Sequence, residues 1–181
     1  KEKFFKFAQT LPKAIGNPVY HWSHLELQRF FGYEGALNAD TAEEVWNLAN
    51  EKLKDPSMSA RSLIKSSNVT DICTTDDPAD SLEWHKMIAA DESFDVNVFP
   101  AFRPDKAMNL EKADFTDYLA KLSTVSEIDI KSFADLKNAV SNRIEYFNEL
   151  GCCVSDHALE FIMYRPASDE EIETIFTNRL N

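Results

Sequence analysis

Three short polar runs carry the side chains best suited to chemistry: Thr74-Thr75-Asp76-Asp77, Arg103-Pro104-Asp105 and Ser155-Asp156-His157. Each closes a short apolar stretch that reads as a β-strand. In α/β folds, ligands bind at the carboxyl ends of the strands, where side chains from successive loops converge. Three clusters in phase therefore point to one shared site. An arginine at a strand end suits two-point capture of a carboxylate or phosphate, or pairs with a neighbouring Asp. His157, beside Asp156, suits a general acid/base or a ligand role. Asp76 lies at the same strand ends, and Asp77 reads as the cap of a following helix opened by Pro78.

Other candidates carry less. His21 and His24 stand at i and i+3 on one helix face, a spacing that can hold a metal, yet no third ligand lies nearby. A solvated or packed pair is the better reading. His85 falls inside a helix and reads as surface. The chain has no glycine-rich phosphate loop, no GxSxG elbow and no HExxH. Cys73, Cys152 and Cys153 are odd in number, two are adjacent, and none forms a CxxC. They read as reduced, buried and small, as in a cytoplasmic protein.

The elements that must position these groups change character at Val69. Residues 1–68 read as an all-helical subdomain. Helices are expected over Lys1–Leu11, His21–Phe31 stopped by Gly32, a segment opened by a Thr41/Glu44 capping box, and Ser59–Ser66. Residues 69–181 read as strand, loop, helix, three times. Strands are expected over Val69–Thr74, Val96–Phe102 and Cys152–Ser155. Helices are expected from Pro78 to about Ala90, from about Asp114 to Leu122, from Ser132 to Leu150, and from Ser168 with a Glu171 capping box. Strands separated by helices imply parallel pairing, hence an α/β class.

Composition bounds the partners. The chain has 181 residues, 19 Lys+Arg against 31 Asp+Glu, a net charge of −12, and 44% hydrophobic residues. That is enough apolar material for a core, in one domain or two small ones. The acidity argues against nucleic acid or an anionic membrane as main partner. No apolar run approaches a membrane span, and nothing after Lys1 reads as a signal peptide.

Several runs resemble uronate isomerases (glucuronate isomerase), of the amidohydrolase superfamily. These are Asn17-Pro18-Val19-Tyr20-His21-Trp22-Ser23-His24-Leu25-Glu26-Leu27, Thr41-Ala42-Glu43-Glu44-Val45-Trp46, Thr74-Thr75-Asp76-Asp77-Pro78, Arg103-Pro104-Asp105-Lys106-Ala107, and Gly151-Cys152-Cys153-Val154-Ser155-Asp156-His157-Ala158. The resemblance implies a (β/α)8 barrel with a divalent metal, commonly zinc. It implies interconversion of D-glucuronate with D-fructuronate and of D-galacturonate with D-tagaturonate. By it, 1–68 is the helical insertion after the first barrel strand, and 69–181 holds strands two to four of a partial barrel. Arg103 matches the family's substrate-binding arginine, while Asp76 and His157 match motifs at the same barrel face. Family members are more than twice as long. Their HxH metal pair, a substrate-contacting His-Tyr pair, a later His and an Asp-x-Arg fall outside this segment, so it should hold no metal itself.

The expectation is thus a piece of an isomerase that is inactive alone. The competing readings are a stable non-catalytic subdomain with an interaction or oligomerisation role, and another amidohydrolase-type metal-dependent hydrolase. Three parallel strands leave two open edges, which predicts compensation by association between copies, a covering helix or a swapped strand.

Overall fold

The computed structural model describes residues 1–159 and 164–180. The chain divides into two compact units, Lys1–Asn68 and Val69–Asn181. Their charge differs sharply: the first is nearly neutral at +1, and the second carries −13.

The first unit is helical. Helix α1 (Glu2–Thr10) tightens into a 3-10 turn over Leu11–Ala14, because Pro12 cannot extend the α-helical ladder. Helix α2 (Pro18–Phe31) starts three residues earlier than the periodicity suggests. The Asn17 side chain accepts the Val19 N–H at 3.0 Å, and Pro18 sits where no N–H is needed. Gly32 ends α2 at φ 65°. Helices α3 (Ala42–Lys52) and α4 (Ala60–Ser66) follow. Ala8, Leu11, Leu27, Leu37, Ala42 and Val45 form the core.

The Thr41/Glu44 capping box does not form. Thr41 donates its hydroxyl to the Ala36 carbonyl at 2.7 Å and accepts the Asn38 N–H at 3.0 Å. The hydroxyl is thus spent on the preceding turn, and α3 has no side-chain cap. His24 is a packing residue. Its Nε2 accepts the Leu37 N–H at 2.9 Å, so Nδ1 carries the proton and donates to the Tyr20 carbonyl at 2.7 Å. Both ring nitrogens are used, which leaves none for a metal, and His21 is exposed.

In the second unit, β1 (Asp71–Cys73) pairs in parallel with β2 (Asn97–Phe99), with Ile72 opposite Val98. Pairing resumes beyond the strands, Asp76 bridging Phe102 and Phe102 bridging Ser155. The third strand expected over Cys152–Ser155 is therefore a single bridge. Pro100 accounts for this. Phe102 donates to the Val154 carbonyl at 3.1 Å and accepts from Asp156 N–H at 3.2 Å. Two residues earlier, where the ladder would continue, proline has no N–H to give.

The helices after β1 also depart from expectation. Helix α5 covers only Glu83–Ala89, not Pro78 onward. Asp77 accepts the Ala79 N–H at 2.9 Å in a tight turn, and Leu82 then adopts φ 54°. The Pro78, Asp80 and Ser81 carbonyls are bound by Arg143 and Tyr146, so they are not available to a helix. A short α6 (Asp105–Met108), α7 (Phe115–Ser126), α8 (Phe133–Glu149) and α9 (Asp169–Leu180) follow. Phe115, Tyr118, Leu119 and Leu122 of α7 pack with Leu136 and Ala139 of α8 and Phe176 of α9.

The cysteines are free but not buried: Cys73 and Cys153 are exposed, and Cys152 is half-buried. Along β1 and its extension, Asp71, Cys73 and Thr75 are exposed, while Ile72, Thr74 and Asp76 are half-buried. The period of two puts Cys73 on the open face, away from α5.

Two outcomes follow for stability. Glu127 ends α7 in the left-handed region at φ 57°, and it is exposed. Glu127→Gly relieves that strain and is expected to stabilise by about 0.5 kcal/mol, read from urea unfolding. Capping boxes open α8 and α9. The Ser132 hydroxyl, then the Lys131 N–H, hold Asp135 below the usual carboxylate range; the Ser168 N–H and hydroxyl do so for Glu171. A carboxyl whose folded pKa is depressed stabilises above its unfolded pKa and loses that contribution as pH falls. Helicity by circular dichroism is expected to hold above about pH 5 and to decline as pH drops through the carboxylate range.

Candidate functional site

The backbone ladder aligns the three polar clusters. Asp76 N–H donates to the Ala101 carbonyl at 3.0 Å, and Arg103 N–H donates to the Asp76 carbonyl at 2.9 Å. On the other side, Phe102 holds Val154 and Asp156. The strand ends therefore come to one level, as their phase in the sequence predicts.

Arg103 and Asp156 form the centre. Arg103 donates Nε–H to Asp156 Oδ1 at 3.1 Å and Nη2–H to Oδ2 at 2.5 Å. This two-point bond, with lesser attraction from Asp156 and Asp105, raises the Arg103 pKa and keeps it charged. Guanidinium has five N–H donors. Asp156 takes the side formed by Nε and Nη2, so the end formed by Nη1 and Nη2 keeps its donors. Arg103 lines a pocket of about 350 Å³ with Thr75, Asp76, Asp77, Asp80, Asp105 and Lys106. Asp156 does not line it.

The remaining carboxylates are locally offset. Lys106 lies 3.4 Å from Asp77, and Lys121 lies 3.7 Å from Asp80. Asp105 accepts the Ala158 N–H at 3.0 Å and lies 3.4 Å from His157 Nδ1 and 3.8 Å from Arg103 Nε. His157 thus joins the Arg103 group through Asp105. Beneath Lys106, Tyr118 is pushed upward in pKa, first by burial and then by the Asp77 carboxylate. It stays a neutral phenol.

Asp76 belongs to a different cluster. Its Oδ2 accepts the Thr74 hydroxyl at 2.6 Å and the Ala101 N–H at 3.3 Å. His85 Nε2 lies 2.7 Å from the same Thr74 hydroxyl and 3.8 Å from Asp76. His85 is not a surface residue, since only 11% of its side chain is exposed. Its signal in the sequence was the Thr-x-Asp alternation, which puts Thr74 and Asp76 on one face with a helix following. Arg143 was also missed. It is buried on α8, donates to the Pro78, Asp80 and Val125 carbonyls at 2.7, 3.0 and 3.2 Å, and lies over the Tyr146 ring. It fixes the loop that carries Asp77 and Asp80. A lone Arg in a helical stripe gives no sign of such a role.

The donors present bear on the divalent metal that the sequence resemblance implies. Among the described residues, no group of three or more His, Cys, Asp or Glu is placed to hold a metal ion. The residues here do not fit that group, and no step is assigned to it. Among the described residues, no helix is long and apolar enough to cross a membrane.

Comparison with known proteins places the chain. The glucuronate isomerase family matches residues 1–181. The chain is 64% identical over 181 residues to a uronate isomerase of Lachnospira eligens, covering all of this chain and 39% of that protein. It is 66% identical over 179 residues to a uronate isomerase of Lachnoclostridium phytofermentans, covering 99% of this chain and 38% of that one. A crystal structure of uronate isomerase from Thermotoga maritima matches with a TM-score of 0.89 at 33% identity, over 99% of this chain and 39% of that chain. The glucuronate isomerase structure from Caulobacter crescentus, at 24% identity and a TM-score of 0.88, shares the fold over 98% of this chain and 37% of its own. The chain spans about two-fifths of the length of the curated relatives it matches.

Arg143→Met leaves the Pro78, Asp80 and Val125 carbonyls without their donor. It is expected to destabilise by about 3 kcal/mol in urea and to speed amide exchange over 77–82. Unchanged exchange in that loop would contradict the role given to Arg143.

Proposed function

The chain belongs to the glucuronate isomerase family, and we propose that the whole protein interconverts uronates by aldose–ketose proton transfer, with Arg103 anchoring the substrate carboxylate. The observation that carries this reading is the Arg103–Asp156 pair at the strand ends. Asp156 occupies one side of the guanidinium and fixes its plane. The Nη1/Nη2 end is then preset to take a second carboxylate at two points, at little further entropic cost.

Isomerisation shifts a proton between C2 and C1 of the open-chain sugar through an enediol-like state. It needs a base near C2, stabilisation of the developing oxyanion and fixed placement of the chain. The residues of this segment serve the third need. Arg103 holds the carboxylate end, and Asp105 and His157 brace Arg103 and extend the wall beside it. Asp76 lines the same pocket as Arg103, and its Oδ2 accepts from Thr74 and the Ala101 N–H, so we give it a structural part rather than the base's. The base and the metal chemistry are assigned to the remainder of the family-length chain, so the 181 residues alone are proposed to be inactive.

The same reading makes Lys1–Asn68 the helical insertion and Val69–Asn181 a part of a (β/α)8 barrel, with Ser155 marking the next strand. The edge of β1 left unpaired among the described residues is then where another strand would add, and self-association of the isolated chain through it is a further consequence. Location in the cytoplasm follows the same proposal and agrees with three free thiols.

Arg103→Met in a family-length enzyme carrying this segment tests the function. Losing a charge-assisted two-point contact costs about 2–3 kcal/mol, so kcat/KM for D-glucuronate should fall about 30- to 160-fold. The loss is expected mainly in KM. A variant with unchanged KM for D-glucuronate would remove Arg103 from the carboxylate site.

A further inference from the structure

His85, Thr74 and Asp76 form a relay on the side of the sheet that faces α5. A threonine hydroxyl has one proton, and an ionised carboxylate can only accept. At 2.6 Å from Asp76 Oδ2, Thr74 gives its proton to Asp76. The 2.7 Å contact with His85 Nε2 must then be the histidine donating to Thr74. The ring is thereby held in its Nε2–H form, and Nδ1 is left buried without a hydrogen-bond partner among the described residues. An unsatisfied buried polar atom is costly, so the Nε2–H contact must hold the ring against that cost.

The relay ends on the strand that carries Arg103. Asp76 Oδ2 also accepts the Ala101 N–H, and the Asp76 main chain binds Ala101 on one side and Arg103 on the other. Leu82, at φ 54° and buried, turns the chain so that α5 opens at Glu83 and His85 comes over Thr74. We propose that His85 is a positioning residue: acting through Thr74 and Asp76, it fixes the main chain at Arg103 and so sets where the guanidinium meets a substrate carboxylate. The catalytic half of this proposal rests on the reading of Arg103 given above, whereas the relay itself does not.

Two measurements separate the halves. In the 181-residue chain, nitrogen-15 NMR of the histidine side chains is expected to show the His85 proton on Nε2, protected from exchange, with protection lost in Thr74→Val. A proton on Nδ1, or protection unchanged in Thr74→Val, overturns the relay whatever the enzyme does. In a family-length enzyme carrying this segment, His85→Asn is expected to raise KM for D-glucuronate about tenfold with kcat within about threefold. His85→Gln places an amide N–H near the Nε2 position and is expected to restore KM, which a space-filling role would not require. Equal losses in the Asn and Gln variants, or a fall in kcat at unchanged KM, overturn the positioning role. If Arg103→Met itself leaves KM unchanged, the carboxylate reading fails, and with it the link from His85 to substrate, while the NMR result still decides the relay.

Discussion

The second unit depends on one buried cation. Arg143 projects from the middle of α8 and spends its guanidinium on main-chain carbonyls, two from the loop after β1 and one from the end of α7. Hydrogen bonds from a charged donor are worth roughly 1.5–3 kcal/mol each, against about 1 for a neutral pair. A buried carbonyl without a partner costs as much as it would have gained. The loop therefore settles where α8 can reach it, and Tyr146 adds a bond to Ser81 one turn along. Helix α5 cannot begin until those carbonyls are passed, which is why Leu82 accepts a backbone conformation that a leucine disfavours.

From that clamp the site follows by geometry. The loop after β1 is fixed from behind by α8, and from the side by the ladder joining Asp76 to Ala101 and Arg103. Phe102 plays the reciprocal part. Its main chain ties to Val154 and Asp156, and its ring packs edge-on against Phe147 of α8 at 5.1 Å. One helix thus sets both flanks of the pocket, through a cation on one side and an aromatic contact on the other.

Much of this was legible because parallel α/β order follows from alternating strand and helix patterns. Arg103, Asp105, Asp156 and His157 were legible as one group, since each closes an apolar stretch. The departures lie where tertiary context overrides the local pattern. Thr41 serves a turn rather than a helix cap. Pro100 removes the donor that a third strand needs. His85 faces inward because a left-handed residue, invisible to helical periodicity, re-aims α5. Cys73 is exposed because the short strand β1 has one open face, which residue type alone does not reveal. Each of these depends on tertiary accounting of hydrogen bonds, which local propensity does not record.

The Arg103–Asp156 pair spans 53 positions in the chain. On a ribosome adding roughly 5–20 residues per second, the guanidinium would emerge about 3–10 s before the carboxylate that fixes it. Over that interval β1 and β2 can pair and α5 can dock, but the pocket has no settled cation. The Arg103–Asp156 pair is therefore assembled late, after the long α8 has been made. A nascent chain would have its scaffold before the plane of its Arg103 guanidinium was fixed.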